Sequence, residues 1–306
     1  ASVAIRHQGR LVVDIAGGSF DGGDTPYTPD TLQLVFSTTK GVTATAVAMC
    51  VERGLLSYDE KVSTYWPEFA AHGKGDATVA QLLSHQCGLF TVDGPITMDE
   101  ALLWPTVTAR LAETAPDWPI GSGHGYHALT YGWLAGELVR RVTGQGLGAF
   151  VQEHIAGPLG VELFIGLPED LEPRVAPLIG QPLNPADIED PTLRAMMEQF
   201  MGPESRAGRA LSLNGAFSGD GVFNTRAVHA AEIPAANGIT NARALATMYA
   251  ATIGPVDGVQ LLQRDTVERA RRRLEDAQAK GVKVILPVDF VLEDGTVATD
   301  IPARSW

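Results

Sequence analysis

The hydrophobic pattern begins with two strand-like runs. Ser2–Arg6 and Leu11–Ala16 are short and rich in valine and isoleucine, which is typical of β-strands. Gln8-Gly9 between them supplies turn chemistry, so the two strands are predicted to form a hairpin. Residues 17–30 are rich in glycine, aspartate and proline, which predicts a loop after the hairpin.

The pattern then changes to that of a buried helix. Leu32–Phe36 is a short apolar run, and Gly41–Val51 is apolar on almost every side. A helix of this kind belongs in a core rather than on a surface. Arg53 and Gly54 follow as a basic last turn and a C-cap glycine, which predicts the end of the helix.

The middle of the chain is predicted to be mainly helical. Thr78–Cys87, Met98–Glu113 and Ala128–Val142 have helical periodicity. Tyr65–Pro67 is predicted to lie in an extended connection. Gly202–Phe217 is interpreted as a lid or as a surface loop. A sheet at the start is therefore followed by a helical insertion.

Composition excludes several classes of protein. The chain has 306 residues, of which 45% are hydrophobic and 19% charged, as expected for one large or two smaller globular domains. It lacks an apolar run that could span a bilayer, and it starts at Ala1 with no pattern of a signal peptide. The net charge of -13 disfavours binding to nucleic acid or to an acidic membrane. We expect neither partner.

The cysteines and histidines do not predict a metal or cofactor site. Cys50 and Cys87 lie in apolar segments without a CxxC pair, so buried free thiols and a reducing, cytoplasmic compartment are expected. His124 and His127 lie three residues apart in a glycine-rich turn, and no HExxH motif occurs. We expect no metal and no cofactor.

Ser37 and Lys40 are the first candidate catalytic residues. On a helix, positions three apart share a face, so the amine can reach the hydroxyl. A serine needs such a base, and burial can keep a lysine partly neutral. The start of a core helix also favours negative charge on the serine oxygen. The alternative interpretation is an N-cap serine with a solvated lysine.

Tyr126 is the third candidate residue. It follows the glycine-rich segment Trp118–Gly125 and precedes a predicted helix. Glycine allows backbone conformations that could project a phenol into a cleft, and a nearby lysine would lower the pKa of that phenol. The alternative, favoured when the residue is taken alone, is a packed aromatic with a bonded hydroxyl.

These segments together resemble a known family. The blocks FSTTKG, LLSHQCGL and PIGSGHGYHALTYGWLAGEL, followed by EIPAANG before a helix, occur in this order. They are similar to the serine β-lactamase and penicillin-binding-protein superfamily, and within it to the class C-like esterase branch, the family VIII carboxylesterases. The resemblance extends from about residue 2 to about residue 270.

The resemblance implies both a fold and roles for the three residues. The fold would be α/β of the α+β type, with an antiparallel sheet flanked by helices and a mostly helical lobe. Ser37 would be the acylated nucleophile, Lys40 its activating partner and Tyr126 the general base or proton relay. The backbone N–H of Ser37 would supply half of an oxyanion hole. No GxSxG pentapeptide of an α/β-hydrolase occurs.

The resemblance also implies a domain organisation. Residues 1–270 would form the hydrolase domain, its sheet part built from residues 1–30 and about 218–270 and its helical lobe from about 55–217. Residues 271–306 would form an atypical tail, a helix followed by a strand or hairpin. From about residue 274 this tail resembles a short piece of phosphoglycerate kinase, and we transfer no kinase activity from it.

Two departures from the family bear on activity. Many relatives have Asn or Ser two residues after the tyrosine, whereas this chain has Ala128, which favours ester over amide or β-lactam hydrolysis. The third family motif, Lys-Thr-Gly or an equivalent, is not found, so the C-terminal sheet strands look truncated or replaced. A hairpin at 282–301 is predicted to pair with the N-terminal hairpin, the alternative being a frayed or domain-swapped end.

Two classes of function follow. The first is a serine hydrolase that cleaves small carboxylic esters through an acyl-Ser37 intermediate, with β-lactamase or D-amino-acid peptidase activity as its alternative. The second is a catalytically impaired relative that keeps only a binding fold. An uncovered sheet edge or face would in either case favour a homo-oligomer.

Overall fold

The computed structural model describes residues 1–180, 188–270, 283–291 and 297–301. The chain divides into two compact units that interleave along the sequence. The first unit contains residues 1–57, 135–179 and 221–271, and the second contains residues 58–134, 180–220 and 272–306.

The helices and strands of the described residues follow in chain order. The α-helices are α1 Thr39–Glu52, α2 Val62–Tyr65, α3 Val79–Leu83, α4 Met98–Ala101, α5 Trp104–Glu113, α6 Thr130–Thr143, α7 Leu147–Val151, α8 Gly157–Leu159, α9 Pro191–Met201, α10 Arg206–Ser212, α11 Arg226–Ala230 and α12 Ala242–Ile253. The strands are β1 Ser2–His7, β2 Arg10–Ala16, β3 Leu32–Leu34, β4 Gly123–His124, β5 Leu163–Phe164, β6 Val175–Ala176, β7 Ile239–Thr240, β8 Lys283–Val291 and β9 Val297–Ile301.

The N-terminal hairpin of the first unit forms as predicted. β1 and β2 pair antiparallel around Gln8 and Gly9, which have φ angles of 51° and 76°. Two successive positive φ angles characterise the type I′ turn, whose twist matches that of a hairpin. One face of β1 packs against α12, where Arg6 Nε donates to Thr247 Oγ1 at 2.9 Å.

The core helix α1 confirms the prediction for residues 41–51 and begins two residues earlier. Ten of its fourteen residues are buried. It ends in a Schellman motif, because the N–H of Gly54 donates to the carbonyl of Val51 at 3.0 Å and the N–H of Leu55 to that of Cys50 at 2.9 Å. The φ of Gly54 is 72°, a value that favours glycine.

A small four-stranded sheet leads the chain into α1. Its strand order is β5-β7-β3-β6, so β3 lies inside it, antiparallel to β7 and parallel to β6. Leu32, Leu34, Val175 and Ile239 form a buried cluster with Leu167 on this sheet. The apolar run that precedes Ser37 is thus an inner strand of the first unit.

Predictions for several segments of the second unit are wrong in detail. Tyr65–Pro67 is not extended, because α2 occupies Val62–Tyr65 and a 3₁₀ segment Pro67–Gly73 follows. The helix predicted from Thr78 begins with a Thr78–Gln81 capping box but ends at Leu83, since the φ of His85 is 62°.

The helix predicted over residues 98–113 is two helices, α4 and α5. Pro105 lies in the first turn of α5. A proline there has no N–H with which to continue the hydrogen bonding of α4.

The segment 202–217 is not a plain surface loop, and its interpretation as a lid stays a prediction. It contains α10, which begins at the N-cap Ser205. Ala210 of this helix is buried in a cluster with Phe90, Trp118 and Ala128 of the second unit. Short side chains on α10 therefore pack it into a core.

The C-terminal strands pair differently from the expectation. β8 and β9 are antiparallel to each other, and β8 pairs in parallel with β4. We expected this hairpin to pair with the N-terminal hairpin, which in the described residues forms a sheet of its own. The helix predicted at the start of the tail lies outside the described residues.

A buried lysine holds the end of α5 in the second unit. Lys74 is fully buried, and its Nζ donates to the carbonyl oxygens of Ala112 at 2.9 Å and Thr114 at 2.6 Å. Burial lowers the pKa of this amine. The last carbonyls of a helix lack intrahelical donors, so Lys74 satisfies acceptors that would otherwise be buried without a donor.

We expect Lys74→Met to lower the free energy of unfolding by about 3 kcal/mol, because it fills the space but deprives both carbonyls of their charged donor. Urea denaturation followed by circular dichroism measures this change. Lys61→Met is the control, since Lys61 is paired with Asp76 on the surface and such pairs contribute little. Equal midpoints for the two variants would contradict the role of Lys74.

Candidate active site

The turn that carries Ser37 connects β3 to α1 in the first unit. Phe36–Thr38 form a 3₁₀ turn, and α1 begins directly after it at Thr39. Ser37 is exposed on this turn. The N-cap of α1 is Thr38. The alternative interpretation of Ser37 as an N-cap is therefore wrong.

Ser37 and Lys40 lie together, as their spacing predicts. Lys40 Nζ donates to Ser37 Oγ at 3.2 Å and to the carbonyl oxygen of Ala235 at 3.0 Å. Both of these acceptors are neutral oxygens. The amine is not simply solvated, so the second half of the alternative interpretation is also wrong.

Burial changes the acidity of the lysine. Desolvation lowers the pKa of Lys40 from 10.5 to about 7, because a low-dielectric environment disfavours the charged ammonium. A large share of the amine is then neutral near pH 7 and can accept a proton. The pair therefore has the geometry and the proton affinity of a serine nucleophile with its base.

The loop 233–238 supplies the second partner of Lys40. It is closed by the buried Asn237, whose side chain donates to the carbonyls of Val228 at 2.8 Å and Ala231 at 2.6 Å and accepts from the N–H of Ile233 at 2.9 Å. These bonds fix the backbone that presents the Ala235 carbonyl. Sequence reasoning noticed this segment but gave it no role; the polar Asn237 within an apolar run was the available signal.

Tyr126 belongs to the second unit. Its ring lies 5.3 Å from that of His85, measured between centroids, and the residue is 39% exposed. Tyr126 is thus not a fully packed aromatic. The preceding Gly125 is required by packing, because a Cβ there would lie 2.2 Å from the indole of Trp118. That contact holds the backbone from which Tyr126 projects.

The histidines near Tyr126 are engaged within the protein. His127 Nε2 accepts from the N–H of Leu89 at 3.0 Å, and its Nδ1 lies 2.5 Å from the carbonyl of Gly125. These partners specify a neutral ring with the proton on Nδ1. His124 Nδ1 lies 2.7 Å from the carbonyl of Ser84. Among the described residues, no group of three or more His, Cys, Asp and Glu could hold a metal ion.

The two cysteines are buried and free, as predicted. Burial raises the pKa of Cys50 to about 11 and that of Cys87 to about 12. Thiols of this kind are unreactive at neutral pH, because the thiolate is the nucleophilic form. Neither cysteine competes with Ser37 as a candidate nucleophile.

A separate cleft of about 550 Å³ lies in the second unit. Its lining includes Asp76, Asp117, Trp118 and Ile120 and contains none of the three predicted catalytic residues. Asp117 is paired with Arg206 at 2.9 Å and Asp76 with Lys61 at 2.7 Å. Concavity alone therefore does not mark the candidate site; the chemistry at Ser37 does.

No helix among the described residues combines the length and the apolar character needed to cross a bilayer. The expected cytoplasmic location stays a prediction. The homo-oligomer also stays a prediction. Val3, Ile5 and Ile15 on the N-terminal hairpin, which are 48–62% exposed, are apolar side chains that a second chain could cover.

Comparison with known proteins identifies the family. A family profile described as Beta-lactamase matches residues 1–299. The esterase/beta-lactamase LipL of Mycobacterium tuberculosis is 38% identical over 297 residues, which cover 95% of this chain and 67% of that protein.

Solved structures agree with this assignment. A family VIII carboxylesterase superposes with a TM-score of 0.76 at 32% identity, and EstA from Arthrobacter nitroguajacolicus Rue61a with 0.72 at 31%. Each match covers 99% of this chain and 74% of the other. The predicted fold class is thereby confirmed. The chain belongs to the beta-lactamase family, as a serine hydrolase of the β-lactamase fold related to esterases and family VIII carboxylesterases.

Proposed function

We propose that the chain cleaves small carboxylic esters through an acyl intermediate on Ser37. The observation that carries this proposal is the 3.2 Å contact between Lys40 Nζ and Ser37 Oγ, combined with a pKa of Lys40 of about 7. A neutral amine at that distance can remove the serine proton at neutral pH. The carboxylesterase relatives support an ester as the substrate.

The reaction has two steps. In acylation, Ser37 Oγ attacks the ester carbonyl, its proton passes to Lys40, and the alkoxy group leaves as the alcohol after taking up a proton. In deacylation, water attacks the acyl-serine carbonyl and gives its proton to the Lys40 amine, directly or through the Tyr126 hydroxyl. The amine then returns a proton to Ser37 Oγ as the carboxylic acid leaves. Tyr126 is proposed as the relay that returns a proton to the leaving alcohol. The proposed steps use these side chains and water.

The oxyanion of each tetrahedral intermediate requires hydrogen-bond donors. The backbone N–H of Ser37 is the proposed first donor, because it lies in the turn that starts α1, where backbone N–H groups and the helix dipole favour negative charge. The third family motif, which would line the second half of this hole, is not found in the sequence. The alternative is therefore that the chain is a catalytically impaired relative, and the labelling experiment below tests this alternative.

β-Lactam hydrolysis is the second candidate activity, since the name of the relative from M. tuberculosis includes it. Ala128 stands where many relatives have Asn or Ser, and it is buried. A methyl group cannot supply a hydrogen bond to an amide or lactam. Hydrolysis of p-nitrophenyl butyrate but not of nitrocefin would support the ester; the reverse would support the lactam.

The nucleophile can be tested by covalent labelling. Incubation with a fluorophosphonate should add one adduct to the chain, and Ser37→Ala should abolish it, because only an activated serine attacks phosphorus. Intact-mass spectrometry measures the adduct. Ser63→Ala serves as the control, since the hydroxyl of Ser63 donates to the carbonyl of Gly75, and it should label normally. An unlabelled parent chain would exclude the proposed hydrolase.

The base can be tested through pH. Because the neutral amine is the reactive form, the acylation rate should rise with pH around a midpoint of about 7, the pKa of Lys40. Lys40→Met should lower kcat by roughly 1,000-fold and remove the rise of the rate with pH. Lys61→Met, the control, should show the same rise as the parent chain. Stopped-flow hydrolysis between pH 5 and 9 measures the profile. A rise that persists in Lys40→Met would assign the titrating group elsewhere.

The same lysine also links pH to stability. Its folded pKa lies below the unfolded value of 10.5, so the unfolded chain binds more protons between these values. The contribution of Lys40 to the free energy of unfolding therefore rises as pH increases from about 7 to about 10.5. Below that window both states are protonated and the full burial cost is present.

The role of Tyr126 can be tested by removing its hydroxyl. We expect Tyr126→Phe to lower kcat by about 100-fold, because a positioned proton relay contributes at that level. The melting temperature should stay close to that of the parent, since the residue is 39% exposed. Tyr65→Phe in the same unit is the control. Near-normal turnover in Tyr126→Phe would show that another group moves the proton.

A further inference from the structure

The backbone just before the nucleophile has an unfavourable conformation. Phe36 has a φ of 42°, in the left-handed region that a bulky L-residue rarely adopts. Its ring lies 5.2 Å from that of Phe223, measured between centroids in an edge-to-face arrangement. Such a conformation persists only where the surroundings hold it. Because Ser37 follows directly, whatever holds Phe36 also sets the direction of the serine.

One buried hydroxyl fastens this turn. Thr39 Oγ1 donates to the carbonyl of Phe36 at 2.5 Å and accepts from the N–H of Gly238 at 2.9 Å. Thr39 is fully buried, so neither bond competes with bulk water. The hydroxyl therefore links the strained residue to the loop that also presents the carbonyl of Ala235.

A second bond closes the same connection from the other side. The N–H of Val35 donates to the carbonyl of Gly238 at 2.9 Å. The N–H and the carbonyl of Gly238 thus bond to Thr39 and Val35, which lie on either side of Ser37 in the chain. It must be glycine, because a Cβ there would lie 2.6 Å from Thr39 Oγ1.

We infer that Thr39 is a positioning residue for Ser37. The Thr39 hydroxyl holds the Phe36 carbonyl and the Gly238 amide together, and so keeps the serine oxygen aimed at the bound ester while Lys40 takes its proton. Thr39 has no part in the chemistry itself. The inference rests on the proposed function, because it assumes that Ser37 is the nucleophile.

A general packing role would give a different result. Thr45 offers the comparison, because it lies on the same helix, is also buried and donates its hydroxyl to the carbonyl of Gly41 within that helix at 2.8 Å. Replacing either threonine by valine keeps the shape and removes a hydroxyl. Only the change at Thr39 disconnects the turn that carries Ser37.

The experiment compares Thr39→Val, Thr39→Ser and Thr45→Val with the parent chain. The rate of fluorophosphonate labelling by intact mass and the kcat and KM for p-nitrophenyl butyrate are measured. We expect Thr39→Val to lower the labelling rate and kcat by about 100-fold with little change in KM, as for a misdirected nucleophile. Thr39→Ser retains the hydroxyl and should recover most of the rate. Thr45→Val should react like the parent.

Gly238→Ala is the second variant, needed in case Thr39→Val does not fold. This variant keeps the Thr39 hydroxyl, but its added methyl group would clash with Thr39 Oγ1. It should therefore slow labelling in the same way as Thr39→Val. Labelling of a folded Thr39→Val at the parent rate would overturn the inference while leaving the proposed function intact. Equal losses of labelling rate in Thr39→Ser and Thr39→Val would also overturn it. If Thr39→Val does not fold, labelling of Gly238→Ala at the parent rate would overturn it. A parent chain that takes no label would overturn both.

Discussion

The partly buried amine of Lys40 is the constraint on which the candidate active site depends. An ammonium group is costly to bury, and this one is held by neutral oxygens, Ser37 Oγ and the carbonyl of Ala235. Burial therefore moves its pKa to about 7, which makes it a base at neutral pH. A carboxylate in place of either oxygen would stabilise the ammonium and remove that property. The fold of the first unit keeps the amine in this environment.

Polar groups buried in the same unit hold the surrounding segments in place. Asn237 closes the loop 233–238, and Thr39 ties that loop to the turn at Ser37. Glu232, just before the loop, accepts from the N–H groups of Leu147 and Gly148, both at 3.1 Å. The bonds of Thr39 and Glu232 join residues far apart in sequence. Because an unsatisfied buried polar group is costly, these bonds specify one arrangement of the loop.

The second unit presents Tyr126 by a different means, the direct contact of an indole with a backbone. Trp118 occupies the space that a side chain at position 125 would need, and the ring stacks on Phe90 at 6.2 Å between centroids. Ala210 of α10 joins this cluster. The position of the tyrosine loop is therefore linked to a helix more than eighty residues away in the chain. Packing of this kind leaves no periodic signal in the sequence.

Local geometry is what the sequence by itself determined. The reach of Lys40 to Ser37 follows from positions three apart at the start of a helix. The hairpin follows from Gln8-Gly9, and the end of α1 from Gly54. Each of these depends on neighbours within one or two turns of chain. The ordered motifs likewise predicted the family, because they are local in sequence.

Contacts between distant segments were decided only by the tertiary structure. The carbonyl that orients Lys40 comes from a residue 195 positions away, and the lowered pKa of that amine arises from burial, which no spacing specifies. The left-handed His85 that ends α3 is held by a distant segment, because the N–H of Gly125 donates to its carbonyl at 3.0 Å. The partner of β8 is β4, which lies far away in the chain. The physical reason is the same throughout. The periodicity of a sequence indicates which face of a segment is buried, whereas the groups that contact that face depend on how distant segments pack together.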